Sequence, residues 1–220
     1  MKKYNFIQRN ALSLAFLALM LFSFAGQAYT GWLEHNDFLE EHGKAPGTFS
    51  NYLSSGHFLQ ATFENWESEF FQMALFVILT IFLRQEGSSE SKLMDEGKDD
   101  REKECKPKSY SPWAVRKGGF YLAFYKHSLS IALIFLFVLS FMIHWYGSWL
   151  DFNERQVLAE KMTEGFGEYV LNKKFWFESF QNWQSEFLSI FAIVFLSIYL
   201  RQAGSPQSKK VNDPHIKTGD

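Results

Sequence analysis

This chain repeats the stretch Phe63-Glu64-Asn65-Trp66-Glu67-Ser68-Glu69-Phe70, which returns 117 residues later as Phe180-Gln181-Asn182-Trp183-Gln184-Ser185-Glu186-Phe187. Each copy leads into an apolar run. The runs stop at the same pattern, Leu83-Arg84-Gln85-x-Gly87-Ser88 and then Leu200-Arg201-Gln202-x-Gly204-Ser205. A polar and aromatic lead-in followed by such a run predicts a helix that enters a membrane from an aromatic-rich interface.

The repeat extends far beyond this stretch. Residues 4–92 align with residues 121–209 without a gap, and 31 of the 89 aligned pairs are identical. An ungapped match of this length predicts a tandem duplication. Because each copy holds two apolar runs, an even number, both copies are expected to enter the membrane in the same orientation.

Four apolar runs predict four membrane helices. A hydrocarbon core of about 30 Å needs roughly 20 helical residues. The second and fourth runs reach that length only if their helices start near Trp66 and Trp183. We therefore expect an all-α membrane protein of four transmembrane helices, a tandem duplication of a two-helix hairpin with short interfacial helices in the outer loops. The predicted spans are about 10–29, 66–84, 126–146 and 183–201.

The same pattern predicts the organisation of the whole chain. The first repeat occupies residues 1–92, a charged cytoplasmic linker residues 93–120, the second repeat residues 121–209, and a polar tail residues 210–220. The only cysteine, Cys105, lies in the linker, so neither an intrachain disulfide nor a cysteine-based metal motif is available. The net charge of −2, without a basic stripe, argues against a nucleic-acid partner.

The distribution of basic residues predicts the orientation. Of the 22 Lys and Arg residues, 17 lie in segments 1–9, 84–126 and 201–220, and 5 lie in the two other loops. By the positive-inside rule, the N- and C-termini are expected in the cytoplasm of a bacterial cell with the chain in its inner membrane. The N-terminus also fits a secretory signal, but its counterpart in the second copy is internal, which favours an uncleaved helix.

Glu69 and Glu186 are the sharpest candidate site residues, because each is expected inside a helix near the outer interface. Neighbours three and four residues away share their helix face, and together they form a candidate polar membrane face. A carboxylate held in the membrane usually faces a bundle interior or water. Such a face could bind a proton, a cation or a small ligand, or it could be purely structural. The predicted face consists of Asn65, Glu69, Gln72, Asn182, Glu186 and Ser189.

Other patterns offer weaker signals. Arg84 and Arg201 end their helices and could contact an anionic lipid or a partner, although membrane-end arginines commonly act as anchors. Three histidines in the first outer loop, His35, His42 and His57, match no zinc spacing and have no histidine counterparts in the second copy, so no metal is expected. Residues 163–168 are similar in pattern to the selectivity filter of a potassium channel, which is built from backbone carbonyls of every repeat. The first copy has no such pattern at the aligned positions, which argues against a channel of this kind. No catalytic constellation or cofactor motif is present, so no enzymatic activity and no cofactor are expected.

Two motifs are specific enough to carry a resemblance, Glu64-Asn65-Trp66-Glu67-Ser68-Glu69-Phe70 and Leu83-Arg84-Gln85-x-Gly87-Ser88. On these motifs the chain resembles a family of uncharacterised bacterial multi-pass membrane proteins over essentially its whole length. The resemblance implies a small bacterial membrane protein and carries over no activity, substrate or site residue.

These observations favour a non-enzymatic inner-membrane protein that acts through binding or assembly. The lipid bilayer is the expected partner, together with a second copy of the chain or another membrane protein. The alternative is a small transporter or channel for protons, cations or a small ligand that uses the two Glu faces.

Overall fold

The computed structural model describes residues 5–96 and 107–219, and Cys105 lies outside these ranges. Within them the chain forms helices and no strand, which confirms the all-α prediction. The helices are α1 (Phe6–Arg9), α2 (Ala11–Glu41), α3 (Phe49–Tyr52), α4 (Gly56–Phe82), α5 (Trp113–Lys117), α6 (Gly119–Lys126), α7 (Ser128–Leu158), α8 (Phe166–Tyr169) and α9 (Lys173–Tyr199).

Two of these helices, α2 and α7, are long and apolar enough to cross a membrane. Only 6% of the apolar stretch of α2 and 17% of that of α7 is buried, whereas the core helix of a soluble protein would be mostly buried. α7 also lies in the middle of the chain, which a signal sequence does not. The two helices are therefore candidate membrane spans.

Helix bounds recur along the chain at a constant spacing of 117 residues. α2 and α7 each have 31 residues, α3 and α8 each have 4, and α4 and α9 each have 27, and every pair begins and ends at aligned positions. Each long helix is longer than its predicted span. α2, for example, continues through polar residues to Glu41 and stops before Gly43, whose φ of 71° is readily adopted only by glycine.

The chain divides into two compact units. Unit 1 comprises Met1–Thr62 and Ile143–Val170, and unit 2 comprises Phe63–Met142 and Leu171–Asp220. Each unit therefore contains residues from both predicted repeats. The core of unit 1 is a small apolar cluster of Ala28, Tyr52 and Phe58, with Phe24 and Trp32 packed against it.

In unit 1, one arrangement of hydrogen bonds closes both the loop that follows α2 and the loop that follows α7. The Trp32 indole Nε1 donates to the Gly47 carbonyl at 2.8 Å, and the Asn36 side chain accepts from the Gly47 N–H at 2.8 Å. Trp149 and Asn153 make the same two bonds to Glu164, at 2.8 and 2.9 Å. The aligned Trp and Asn residues thus hold the turn that follows α2 and the turn that follows α7.

Two glycines allow α4 and α7 to approach closely within unit 1. A Cβ atom added at Gly147 would lie 2.6 Å from the Gln60 backbone nitrogen and 2.7 Å from the Leu59 Cβ atom. At Gly56 it would lie 2.8 Å from the Gly147 carbonyl oxygen. Small residues at a helix crossing let backbones come together, as in membrane helix pairs. Gly147 is aligned with Thr30 and Gly56 with Lys173. Because neither aligned residue is a glycine, the corresponding pair of helices lacks the residues that permit this close crossing.

Candidate functional site

In unit 2, three of the six predicted face residues meet between α4 and α9. The buried Gln72 side chain donates from Nε2 to the Ser189 hydroxyl at 3.2 Å and to the Glu186 carbonyl oxygen at 3.3 Å. The Ser189 hydroxyl in turn donates to the Glu186 carbonyl at 2.8 Å. Gln72 and Ser189 occupy aligned positions, so this contact joins the same point of the two copies.

The other three predicted face residues have different surroundings. Asn182 lies one turn before Glu186 on α9, and its side-chain amide donates to the Glu64 carboxylate of α4. The side chains of Asn65 and Glu69 are exposed. The Glu186 side chain is half-buried. The structure therefore brings Gln72, Asn182, Glu186 and Ser189 into one interface and leaves Asn65 and Glu69 facing outward from it.

The fully buried carboxylate of this interface is Glu67, which the sequence analysis did not single out. Its side chain has no exposed surface, and Oε1 accepts a hydrogen bond of 2.9 Å from the Trp183 indole Nε1. Glu67 could have been identified from the sequence by comparing aligned positions of the two copies. Copy two has Gln184 where copy one has Glu67, so one copy supplies the carboxylate and the other supplies the indole donor.

Aromatic rings enclose this hydrogen bond. Phe71, one turn after Glu67, packs on the Trp183 ring with a centroid distance of 4.7 Å. It also stacks on Phe137 of α7 at 4.8 Å and lies 5.7 Å from Phe187. Rings that exclude water lower the local dielectric, which strengthens a hydrogen bond and raises the cost of breaking it. The arrangement thus holds α4, α7 and α9 together through one packed polar and aromatic cluster.

The chemistry of this face is that of a satisfied helix interface. Its N–H donors, from Gln72, Asn182 and Trp183, are used in bonds between α4 and α9. Polar side chains that bond across helices stabilise helix association in membranes. The exposed carboxylate of Glu69 is the group left on the outer side of this interface for contact with solvent or a ligand.

Arg84 forms a cap on the C-terminal end of α4. Its guanidinium donates to the Phe82 carbonyl at 3.2 Å and to the Glu96 carbonyl at 2.6 Å. The helix end and the loop after it are thereby joined. A cation at this position also interacts favourably with the negative end of the helix dipole. A contact of Arg84 with lipid or anion stays a prediction.

Arg201 makes the equivalent cap on α9. It donates to the Ser197 and Ile198 carbonyls at 3.1 Å each and to the Asp213 carbonyl at 3.2 Å. Asp213 is aligned with Glu96, so the repeated motif Leu-Arg-Gln-x-Gly-Ser encodes the same helix end twice. The lipid or anion contact predicted for Arg201 is likewise untested by this geometry, since the cap leaves part of the guanidinium accessible.

The polar tail folds back on the loop that follows α4. The Lys209 ammonium is buried and donates to the Gly87 carbonyl, and to the His215 and Lys217 carbonyls at 2.9 Å each. Burial, together with the nearby Arg201 charge, lowers the pKa of Lys209. The Thr218 hydroxyl accepts from the Gly87 N–H at 2.9 Å. Lys209 therefore organises the loop after α4 and the tail through backbone carbonyls.

In unit 1, His57 lies in a polar cluster at the start of α4. Its Nε2 lies 3.3 Å from a Glu34 carboxylate oxygen and its Nδ1 lies 3.1 Å from the Tyr52 hydroxyl. Burial, reinforced by Glu34 and Asp151, raises the pKa of Tyr52 to about 12, so its hydroxyl keeps its proton. Because Glu34 can only accept, the neutral His57 ring carries its proton on Nε2 and accepts from Tyr52 at Nδ1.

Burial also lowers the pKa of His57 below its ordinary value of 6.5, against the opposing influence of Asp151 and Glu34. The buried His35 ring stacks on His57 with centroids 5.4 Å apart. Its Nε2 lies 3.9 Å from a Glu154 carboxylate oxygen. His42 instead contacts the Phe38 carbonyl of its own helix at 2.8 Å. The three histidines thus have different polar partners.

Comparison with known protein families gives a match over nearly the whole chain. The model of a family described as "Domain of unknown function (DUF6766)" matches residues 3–220. No curated protein and no solved structure matches the chain.

Proposed function

The chain belongs to the DUF6766 family, and since that family has no assigned activity, we propose a function from the structure alone. The protein is a multi-pass membrane protein of the bacterial inner membrane with a non-enzymatic role in binding or assembly. Its four long helices cross the membrane as two tandem hairpins, with both termini in the cytoplasm. The single observation that carries the proposed role is the α4–α9 face, whose N–H donors are used in holding helices together.

Membrane insertion of all four long helices is supported by their exposed apolar surface. Large hydrophobic side chains on each of them are more than half exposed, among them Phe22, Phe82, Phe135 and Phe191. Soluble proteins rarely expose contiguous apolar surface on this scale. In a lipid bilayer these apolar side chains can contact acyl chains and do not have to be buried inside the protein. α2 and α7 are apolar from an early point, whereas α4 and α9 have polar first halves and apolar second halves.

The duplication is supported by the structure at three levels. The aligned helices share their bounds, the aligned Trp and Asn residues close both outer loops, and the aligned arginines cap both second helices. The copies differ where they meet. Glu64 and Glu67 accept from Asn182 and Trp183, whereas the aligned acceptor positions of copy two carry glutamines. An interface between non-identical copies fits a protein whose task is to hold a defined assembly.

A second candidate function rests on Glu69 and Glu186. Their carboxylates occupy aligned positions at the predicted outer boundary of the membrane, one exposed and one half-buried. Carboxylates at that depth are typical of proton or cation pathways. In this alternative, the α4–α9 interface is the scaffold and the Glu pair is the conducting element.

A flux measurement separates the two candidates. The purified protein is reconstituted in liposomes that contain a pH-sensitive dye, and proton or cation flux is compared with that of a Glu69→Gln, Glu186→Gln double variant. The assembly role predicts no flux above empty liposomes for either protein. Flux in the unmodified protein that vanishes in the double variant would replace the assembly role by transport.

A further inference from the structure

A basic and aromatic segment immediately precedes α7 in unit 2. Residues 107–126 contain four basic side chains and no acidic one, whereas the eight residues before them, 99–106, contain four acidic and three basic ones. The basic residues are Lys108, Arg116, Lys117 and Lys126. The segment also holds six aromatic residues, Tyr110, Trp113, Phe120, Tyr121, Phe124 and Tyr125.

The segment folds into two short helices that pack on each other. The Trp113 ring of α5 meets the Tyr121 ring of α6 edge-on at 5.0 Å, and the Lys117 ammonium lies over both rings, at 5.0 and 4.3 Å from their centroids. All residues of α5 and α6 are described, and none of them is buried. The Phe120 side chain is 79% exposed and that of Phe124 is 54% exposed. The two helices therefore present their aromatic side chains to the surroundings.

The aromatic residues of α6 occupy one face. At about 100° per residue, positions 120, 121, 124 and 125 span an arc of roughly 140°. Ala123 and Lys126 lie on the opposite side. A short helix with this division, flanked by Arg116 and Lys117, has the pattern of a helix that lies in the plane of a membrane interface.

A break in the helix separates this segment from α7. His127 has φ −111° and ψ 5°, and α7 begins at the next residue. The aligned residue in the first copy, Asn10, has nearly the same backbone angles and separates α1 from α2. Such a break allows the preceding helix to lie along the interface while the following helix crosses the bilayer. In both copies a short helix and a break therefore precede the first long helix.

We propose that residues 107–126 are an in-plane anchor that binds anionic lipid headgroups of the cytoplasmic leaflet, with the aromatic face of α6 at headgroup depth and Arg116, Lys117 and Lys126 on the lipid phosphates. The proposal rests on the proposed membrane insertion of α7. Charge complementarity selects this partner, since an uninterrupted basic segment beside a membrane helix favours an anionic leaflet. Each cation near such a surface contributes about a fivefold preference.

A fluorescence experiment on the full chain tests this assignment. In a Cys105→Ser background, Phe124→Cys carries an environment-sensitive dye, and the protein is placed in lipid nanodiscs of phosphatidylcholine alone or with about a third phosphatidylglycerol. We expect a blue-shifted emission and shielding from an aqueous quencher in the anionic discs only. High salt, which screens surface charge, reverses both effects. A dye at Ala123→Cys, on the opposite side of α6, stays more accessible to the quencher.

Two further variants make the outcome decisive. Arg116→Gln with Lys117→Gln lowers the ratio of docked to undocked segment by about 25-fold, whereas Lys44→Gln with Lys161→Gln, which removes the same charge from the outer loops, leaves it unchanged. Equal shielding in neutral and anionic discs, or none in either, overturns the anchor. A dye at Ile134→Cys in α7 reports membrane insertion separately: if acyl-chain quenchers do not reach it, the proposed membrane function fails, and if they do, only the anchor is at stake.

Discussion

The hydrogen bond between Glu67 and Trp183 allows the most quantitative test of the α4–α9 interface. The bond is 2.9 Å long, the carboxylate is fully buried, and Phe71 packs against the indole. Hydrogen bonds to charged groups contribute about 1.5–3 kcal/mol in soluble proteins, and side-chain bonds between membrane helices about 0.6 kcal/mol on average with a maximum near 1.7. Because Glu67 lies near the predicted membrane boundary, we expect a coupling energy of about 1–2 kcal/mol.

A double-mutant cycle of Glu67→Leu and Trp183→Phe measures this coupling, because each single variant removes the hydrogen bond and the cycle cancels the loss of ring area and of carboxylate charge. The free energy of unfolding is obtained from circular dichroism as the fraction of denaturing detergent in mixed micelles increases. A parallel cycle with Glu69→Leu, at the exposed carboxylate on the same helix, serves as the control and should give a coupling below about 0.5 kcal/mol. Equal couplings in the two cycles would refute the reasoning.

Three other predictions address the rest of the fold. Gly147→Ala should lower the free energy of unfolding by about 1–3 kcal/mol, since its Cβ atom would lie 2.6 Å from the Gln60 nitrogen; Gly26→Ala, with open space around it, should raise that free energy by about 0.5–1 kcal/mol. Arg201→Lys should speed proteolysis of the tail, because an ammonium cannot reach both the α9 end and the Asp213 carbonyl; an unchanged cleavage rate would contradict the cap. His57, whose pKa is lowered by burial, takes up its proton at a lower pH in the folded protein than in the unfolded chain, so stability is complete above about pH 6.5 and falls below it by at most about 1.4 kcal/mol per pH unit. His57→Gln should remove this dependence in pH-dependent thermal unfolding, whereas His42→Gln should retain it.

Much of the helical architecture follows from the sequence because it depends on periodic properties. The apolar runs predict where the long helices lie, and the repeat predicts that their bounds recur. The sequence predicts the first and last residues of these helices less well. The predicted span ends near Tyr29, whereas α2 continues to Glu41, because a helix persists through polar residues until a turn such as that at Gly43 stops it. The membrane sets the length of a span, and local sequence sets the length of a helix.

The candidate site was predictable in part. Residue spacing predicts that Asn65, Glu69 and Gln72 share one face of α4 and that Asn182, Glu186 and Ser189 share one face of α9, since three- and four-residue steps share a helix face. The same rule could not decide between Glu67 and Glu69, because the rotation of a helix depends on its packing. The exchange of Glu67 for glutamine in the second copy was the available signal. Its partner Trp183 donates across the interface.

The central claim, that all four long helices cross the membrane with the termini inside, is tested most directly by the native Cys105. The assay uses cells in which a membrane-impermeant maleimide reaches the outer face of the inner membrane. This reagent should leave Cys105 unlabelled until the inner membrane is permeabilised. If only α2 and α7 crossed, the segment between them would lie outside. Labelling of Cys105 before permeabilisation would therefore contradict the four-span architecture or its orientation.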